Sequence, residues 1–588
     1  YAYDPAGRRT AVTDPNGNTT NFRFDAAGQN VARTDPLGRR ATFAYDPAGR
    51  PNLSVDPRAV RITSLYDAAG ELTGRLFPGG PRATFAYDQA SRRVLAADAA
   101  GRVTTAYDAK GRVAATTDPY AKRVSYVYDA RDQKRYLTDP DGGRTSYSHD
   151  PAGRLTVLTE PRGKRTSLAY DPTGRRTLQV GANGTRATSA YDAAGQLTGL
   201  NTTAGGTLVS RFTYAYDPAS RRTGAWQAMP SGLIRCSWSY DPTGQLTRET
   251  RAGANGFDTT YSYDPAGNRA YRLDSGALTA YDYDAANQLL WSVGPGGTTT
   301  YGYDPAGNRT SMATAAATTY YAWDARGRMS QAEPVAGPVT FSYDAGDRRL
   351  GKQSPTQTKR YVYDFEKVLQ ETDGAGVTQE QFTSTEEQYG DLVSAYGGGQ
   401  GSYFAFDATG NADALLDDTG SATDRYAYRA FGLATHTQGT SATDRLFVGK
   451  QGYVLDLETE LYFLRRNYTD ADAARFVAPD PARADLNRCR YCGNDPVNRT
   501  DPSGLIWSLS AVLDYARQYD DVAADWGASH GAYLRPSLGI PKPSYSYWAD
   551  EHGRAFRDYA PGRHVEVGIS SFVDSKTAAA LYLYELRE

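Results

Sequence analysis

Cys489 and Cys492 spell C-x-x-C, a spacing that suits a metal or a redox pair. Only Cys236 remains as a further thiol, which is too few for a four-cysteine zinc site. On a strand, residues three apart face opposite ways, and both cysteines stand where an apolar residue would serve, so they read as packing residues. Three of the five histidines, His530, His552 and His564, fall in the last stretch of the chain. That enrichment fits a small catalytic unit using imidazole as acid, base or ligand, but the spacings match no metal motif. No Ser-His-Asp arrangement or phosphate-cradling glycine loop occurs in the rest of the chain. No cofactor and no metal is therefore expected.

The bulk of the chain is repetitive. Eighteen near-regularly spaced aspartates between Asp4 and Asp364 each directly follow an aromatic residue, once His149 instead. The aspartates at 46, 67 and 88 are 21 apart, and from Asp264 to Asp364 the step is 20. A short fixed period over most of a chain signals stacked supersecondary units. In Ala41–Arg50, Phe43 and Tyr45 share one face of an extended strand, and Asp46-Pro47-Ala48-Gly49 reads as a turn. A second turn lies midway between such steps, as at Asp14-Pro15-Asn16-Gly17 and Asp139-Pro140-Asp141-Gly142. Two turns and two strands per repeat make a β-hairpin, so the expected fold is all-β, one long antiparallel sheet.

Composition narrows the partners. A net charge of −2 gives the repeats no bulk electrostatic case for nucleic acid. No run of 18 apolar residues exists, so no membrane-spanning helix is expected. Tyrosine outnumbers phenylalanine 45 to 18, giving the strands apolar area together with hydroxyls that need partners. The opposite face carries Thr, Ser, Ala and Arg. A ribbon of eighteen hairpins would run roughly 170 Å and must coil or close to protect its edges, which suggests a hollow shell. Residues 365–400 lose the period and read as an irregular crossover, and 196–210 as a surface loop. The chain opens at Tyr1 inside a repeat, so further sequence upstream is expected.

Repeats such as Tyr263-Asp264-Pro265-Ala266-Gly267-Asn268-Arg269 resemble the YD repeats of the rearrangement-hotspot (RHS) family. That family includes bacterial polymorphic toxins, shell subunits of insecticidal toxin complexes, and the teneurins. The ending is more specific. Leu455–Tyr468, Arg475-Phe476-Val477-Ala478-Pro479-Asp480-Pro481, Leu486–Tyr491 and Gly493–Leu505 are similar to the RHS-associated core. The resemblance implies a YD-repeat shell over 1–425, a core that plugs it over 426–505, and a variable C-terminal segment, 506–588, held as cargo. From Ile506 the repeats stop. Trp507–Arg517 and Ser575–Leu586 read as helices, so the cargo is expected to be α/β or mainly helical, and its 8 basic against 11 acidic residues do not favour a nuclease.

The resemblance also implies self-cleavage just after the core by two aspartates. Matched by motif, these are Asp480 and Asp501, with Leu505–Ile506 as the scissile bond. Two carboxylates sharing a proton suit peptide hydrolysis, one activating water and the other protonating the leaving group. Arg483 would bias which of them stays ionised. Asp-Pro-x-Gly also serves as an ordinary turn throughout the chain, so either aspartate could do only that. The resulting picture is a secreted or cell-surface shell that encloses its own C-terminal segment. Any enzymatic act would be at most a single turnover. Its partners would be that segment, a secretion apparatus or upstream delivery domain, and an immunity protein. The alternative is an extracellular or wall-associated adhesin whose tyrosine-rich face binds surface glycans.

Overall fold

The computed structural model describes residues 1–441, 443–480 and 486–505, together with the backbone strands Tyr547–Ala549, Ala555–Ala560 and Arg563–Glu566. Forty-two consecutive strands, from Ala2–Tyr3 to Ala434–Gln438, form one antiparallel sheet in which sequence neighbours pair. The sheet thus runs past residue 425 to Gln438.

One repeat shows why. The Asp46 Oδ1 accepts from the amides of Ala48 (2.9 Å) and Arg50 (3.0 Å), and Gly49 N–H donates to the Asp46 carbonyl at 2.9 Å. Gly49 sits at φ 79°, where a side chain would strain the backbone. The amide bond from Arg50, chief among several donors, holds the Asp46 carboxyl below the usual carboxylate range. Arg50 also binds sideways. Its Nε donates to Asp46 Oδ2 (2.6 Å), its Nη1 to the carbonyl of Asp67 in the next repeat (3.0 Å), and its guanidinium covers the Tyr66 ring. The Tyr66 hydroxyl in turn donates to the Pro51 carbonyl at 3.0 Å. The same clip recurs at Arg112, Arg154 and Arg175. The YD tyrosines therefore spend their hydroxyls inside the sheet.

The sheet coils onto itself, and the coil tightens. Arg58 donates to the Asp324 carbonyl (3.0 Å) across 266 residues, Asn183 to Asp417 across 234, and Arg429 to Thr259 across 170. Twenty-five strands separate the first pair and sixteen the last. At about 4.8 Å per strand the circumference shrinks from roughly 120 Å to roughly 77 Å. Where windings overlap, Val362 packs with Val124, Tyr126 and Leu137 of the earlier winding. Tyr361, on the other face of the same strand, reaches Arg349 beneath.

Residues 365–400 are not a crossover: Lys367–Thr372, Thr378–Ser384 and Leu392–Gly397 continue the ladder in order. Nor is 196–210 a loop. Leu197–Ala204 and Thr207–Tyr216 form an elongated hairpin, because threonine-rich extended chain pairs as readily here as the aromatic repeats.

The narrow end is stopped by residues 443–480 and 486–505. A four-stranded sheet, Val454–Asp456, Leu461–Phe463, Tyr468–Asp470 and Arg475–Phe476, lies with two 3-10 turns, Gly449–Gln451 and Tyr491–Asn494, inside the last winding. Phe447, Tyr453, Tyr462, Phe476 and Tyr491 pack there against Tyr261, Phe382, Phe404 and Phe431 of the wall. In the tail, the three described strands pair antiparallel. The two expected helices lie outside the described residues.

A cation ladder fixes how these layers meet. From Asp88 to Asp344, cationic and apolar side chains alternate five residues after each YD aspartate: Arg93, Val113, Lys134, Leu155, Arg176, Leu197, Arg222, Leu246, Arg269, Leu289, Arg309, Met329, Arg349. Lys134 meets Asp364 of the next winding at 3.1 Å, and Arg176 meets Asp391. Lower down the partners belong to the plug: Arg269 donates to the Asp472 carbonyl, Arg309 pairs with Asp470 at 2.7 Å and Arg349 with Asp456 at 2.6 Å. Burial opposes ionisation of Asp364, but Lys134 and Lys367 outweigh it and hold the carboxyl at about 2.

Other acids at the closed end are held the opposite way. Burial, reinforced by Glu371 and Asp444, pushes Glu380 up to about 7, and burial pushes Asp413 and Asp495 up to about 6. A carboxyl raised on folding stabilises fully below its unfolded value and ceases to as pH rises through its folded value. The contribution of these three groups to the denaturation midpoint is therefore expected to fall between about pH 4 and pH 7. Glu380→Gln and Asp413→Asn should flatten that slope, and an unchanged slope in both would refute this origin.

Candidate functional site

Asp480 and Asp501 are both buried in the plug, at 3% and 0% exposure. Asp480 closes the strip that follows Arg475–Phe476. Its amide donates to the Arg488 carbonyl at 2.7 Å, and Arg488 Nη2 donates back to its carbonyl at 3.1 Å. Asp501 starts a turn of the repeat kind, with Gly504 N–H on the Asp501 carbonyl at 3.1 Å. Its Oδ1 accepts from Ser503 Oγ (2.8 Å), Gly504 N (3.0 Å) and Leu505 N (3.2 Å). The carboxylate is thus fixed against the amide of the residue at the expected junction. Its own amide donates to the Tyr453 hydroxyl at 2.7 Å, which lies 3.1 Å from the Tyr491 hydroxyl.

The two segments share one support, the loop Leu464–Asn467. Asn467 Nδ2 donates to the Ala478 carbonyl, two residues before Asp480, at 3.3 Å. A Cβ on Gly504 would lie 3.0 Å from Asn467 N and would run into the Leu464 carbonyl. Arg465 of the same loop donates to the Pro502 carbonyl. Gly504 also has φ 71°. Gly504→Ala is therefore expected to displace the Asp501–Leu505 turn at a cost of about 1–3 kcal/mol, read as a lower thermal midpoint. Midpoints equal within error would show that the loop yields freely.

What separates Asp501 from the repeat turns is its setting. At Asp46 the fourth following residue is an arginine that clips the neighbouring repeat, whereas at Asp501 it is Leu505, and Asp501, Pro502 and Gly504 are buried, with the Asp501 amide on the Tyr453 hydroxyl. Sequence reasoning missed Arg465, Asn467 and Tyr453, because only the packed plug brings them beside Asp501.

Arg483, Ile506, His530 and His552 lie outside the described residues. His564 belongs to the strand Arg563–Glu566, opposite Asp558. Cys489 and Cys492 are buried and not joined in a disulfide, Cys492 within the 3-10 turn rather than on a strand. No helix among the described residues is long and apolar enough to cross a membrane.

The teneurin YD-shell family model matches residues 165–496, more than half of the chain, and the RHS repeat model matches 3–30, 24–61, 66–103 and 128–165. The chain belongs to the RHS/YD-shell family. This YD shell is 30% identical over 151 residues to the tRNA3(Ser)-specific nuclease WapA of Bacillus spizizenii, covering 24% of the chain and 6% of that protein. It is 27% identical over 135 residues to salivary gland surface protein 1 of Aedes aegypti, covering 23% of the chain and 4% of that protein. The chain therefore spans only a small part of these relatives. Its fold is similar to the Photorhabdus luminescens Tc holotoxin pore carrying a TccC3 mutation, with a TM-score of 0.69 at 18% identity over 86% of this chain and 29% of that one.

Proposed function

We propose that this YD shell is secreted, encloses its own C-terminal segment from Ile506 onward, and detaches it by cutting Leu505–Ile506. Asp501 and Asp480 share the acid and base roles. The observation that carries the reading is the buried Asp501 turn, whose carboxylate is bonded to the Leu505 amide in the plug at the narrow end of the coil. Water excluded by Tyr453 and Tyr491 would leave two carboxylates in a low-dielectric site, where proton sharing splits their roles. The toxin names among the relatives support a harmful cargo. Such a cargo requires a delivery apparatus and, in the producing cell, a neutralising partner.

The name of the mosquito surface protein favours a second reading, a surface module that binds glycans. Against it, the YD tyrosine hydroxyls such as those of Tyr66 and Tyr128 are committed to carbonyls within the sheet. Intact-mass analysis under denaturing conditions tests the first reading. Two fragments divided after Leu505 are expected, and a single uncut species would exclude it.

A further inference from the structure

Arg465 is a buried cation whose bonds all go to neutral groups. Its Nε donates to the Glu366 carbonyl (2.8 Å), Nη2 to the Gln451 carbonyl (2.9 Å) and Nη1 to the Pro502 carbonyl, and the Tyr389 ring stacks on it at 4.8 Å. Among the described residues no carboxylate oxygen lies within salt-bridge reach of it; the charge of Glu366 acts on it from further off, and that carboxylate lies 3.6 Å from Arg466. Every other cation on the same cavity has one: Arg349 has Asp456, Lys367 has Asp364, Arg445 has Glu371 and Lys450 has Asp391. That cavity, about 40 Å³, lies between the plug and the wall strands Thr358–Asp364 and Leu392–Gly397. Burying a cation without a counter-charge is costly, and burial pulls the Arg465 guanidinium below its ordinary range.

Arg465 is nevertheless placed with care. It adopts φ 61°, and the absent side chain of Gly452 makes room for it, since a Cβ there would come within 2.7 Å of its Nη2. A strained residue that holds a cation with no salt bridge of its own against Pro502, three positions before the junction, fits a site that waits for a negative charge.

We propose that Arg465 is the positioning residue of the self-cleavage: it aligns the Asp501–Leu505 turn through Pro502 and receives the Leu505 carboxylate that the cut creates. The inference rests on the self-cleavage reading. In that reaction the oxygen of water bonds to the Leu505 carbonyl carbon and the bond to the Ile506 nitrogen breaks. The nitrogen leaves as an amine after taking a proton, and the new carboxyl loses one to become the anion. A guanidinium already desolvated against the Pro502 carbonyl of the same turn would form a charge-assisted pair with that anion and not with the neutral peptide.

The test follows cleavage of full-length protein by intact mass after its synthesis in a cell-free system. Arg465→Met is expected to cut roughly 10²-fold more slowly than wild type, with Arg465→Lys in between. For Arg465→Ala, added guanidinium ion should restore cutting, which a purely structural role would not allow. Wild-type speed in Arg465→Met, or no rescue of an Arg465→Ala protein that keeps its native circular dichroism, would overturn the assignment while leaving self-cleavage standing. An uncut wild-type chain would remove both.

Discussion

Asp501→Asn is expected to leave the chain whole, as one species of 63.9 kDa, where wild type gives two. Asparagine keeps the size of the side chain and an oxygen that can accept from Gly504 and Leu505, so the turn should survive. What it lacks is the ability to take or give a proton in the acidic range. Loss of a positioned acid–base group costs about 10²–10⁴-fold in rate, enough to abolish cutting over ordinary preparation times. Asp480→Asn should have the same result if the two act as a pair. Cutting of the Asp501→Asn chain at the wild-type rate would refute the role of this carboxylate, and the plug would then be only a stopper. The Asp501→Asn shell should retain its wild-type denaturation midpoint, which separates a chemical defect from a folding one.

The second large effect concerns the plug itself. Arg349 and Asp456 are 1% and 0% exposed, 2.6 Å apart, and the guanidinium also lies 4.0 Å over the Phe463 ring. Asp456→Leu removes one partner and strands a buried cation, so a loss of about 3–5 kcal/mol is expected from chemical denaturation. Arg349→Met combined with Asp456→Leu should recover much of it, because Met329 fills the equivalent position in the preceding repeat and belongs to the same apolar cluster as Val454, Leu461 and Phe463 of the plug. Lys352 keeps Glu458 at 2.7 Å in that double variant. A loss below about 1 kcal/mol for Asp456→Leu alone would mean that apolar packing, not the cation ladder, seats the plug.

Much of this protein is legible from local chemistry. The Asp-Pro-Ala-Gly turns, the paired aromatic residues two apart and the unbroken antiparallel ladder follow from steps of two along a strand and from glycine at positive φ, as at Gly49. The arginine after each turn stood in plain view, yet its sideways bond to the next repeat was not read, because a single repeat does not contain its own acceptor. The alternation of cation and leucine from Arg93 to Arg349 was equally visible and equally silent. Its meaning depends on Asp364, Asp391, Asp470 and Asp456, which lie from 107 to 230 residues away. The stretches at 196–210 and 365–400 misled for the converse reason. Periodicity faded there, but backbone pairing needs no aromatic signature and continued.

For the site, the motif resemblance named Asp480 and Asp501, and the sequence by itself could say no more than that each begins a turn. Burial narrowed the choice, since most of the repeat-turn aspartates are only half-buried, and the position of Asp501 in the plug separates it from the buried turns at Asp139 and Asp344. It also set Arg465 and Asn467 beside Asp501. The sequence by itself determined the strand, the turn and the repeat, because those depend on forces acting within about twenty residues. Only the tertiary structure decided the tightening of the coil, the pairing of windings through buried ions and the sealing of the Asp501 turn. Such contacts join groups far apart in the chain, and their strength comes from the water that packing removes.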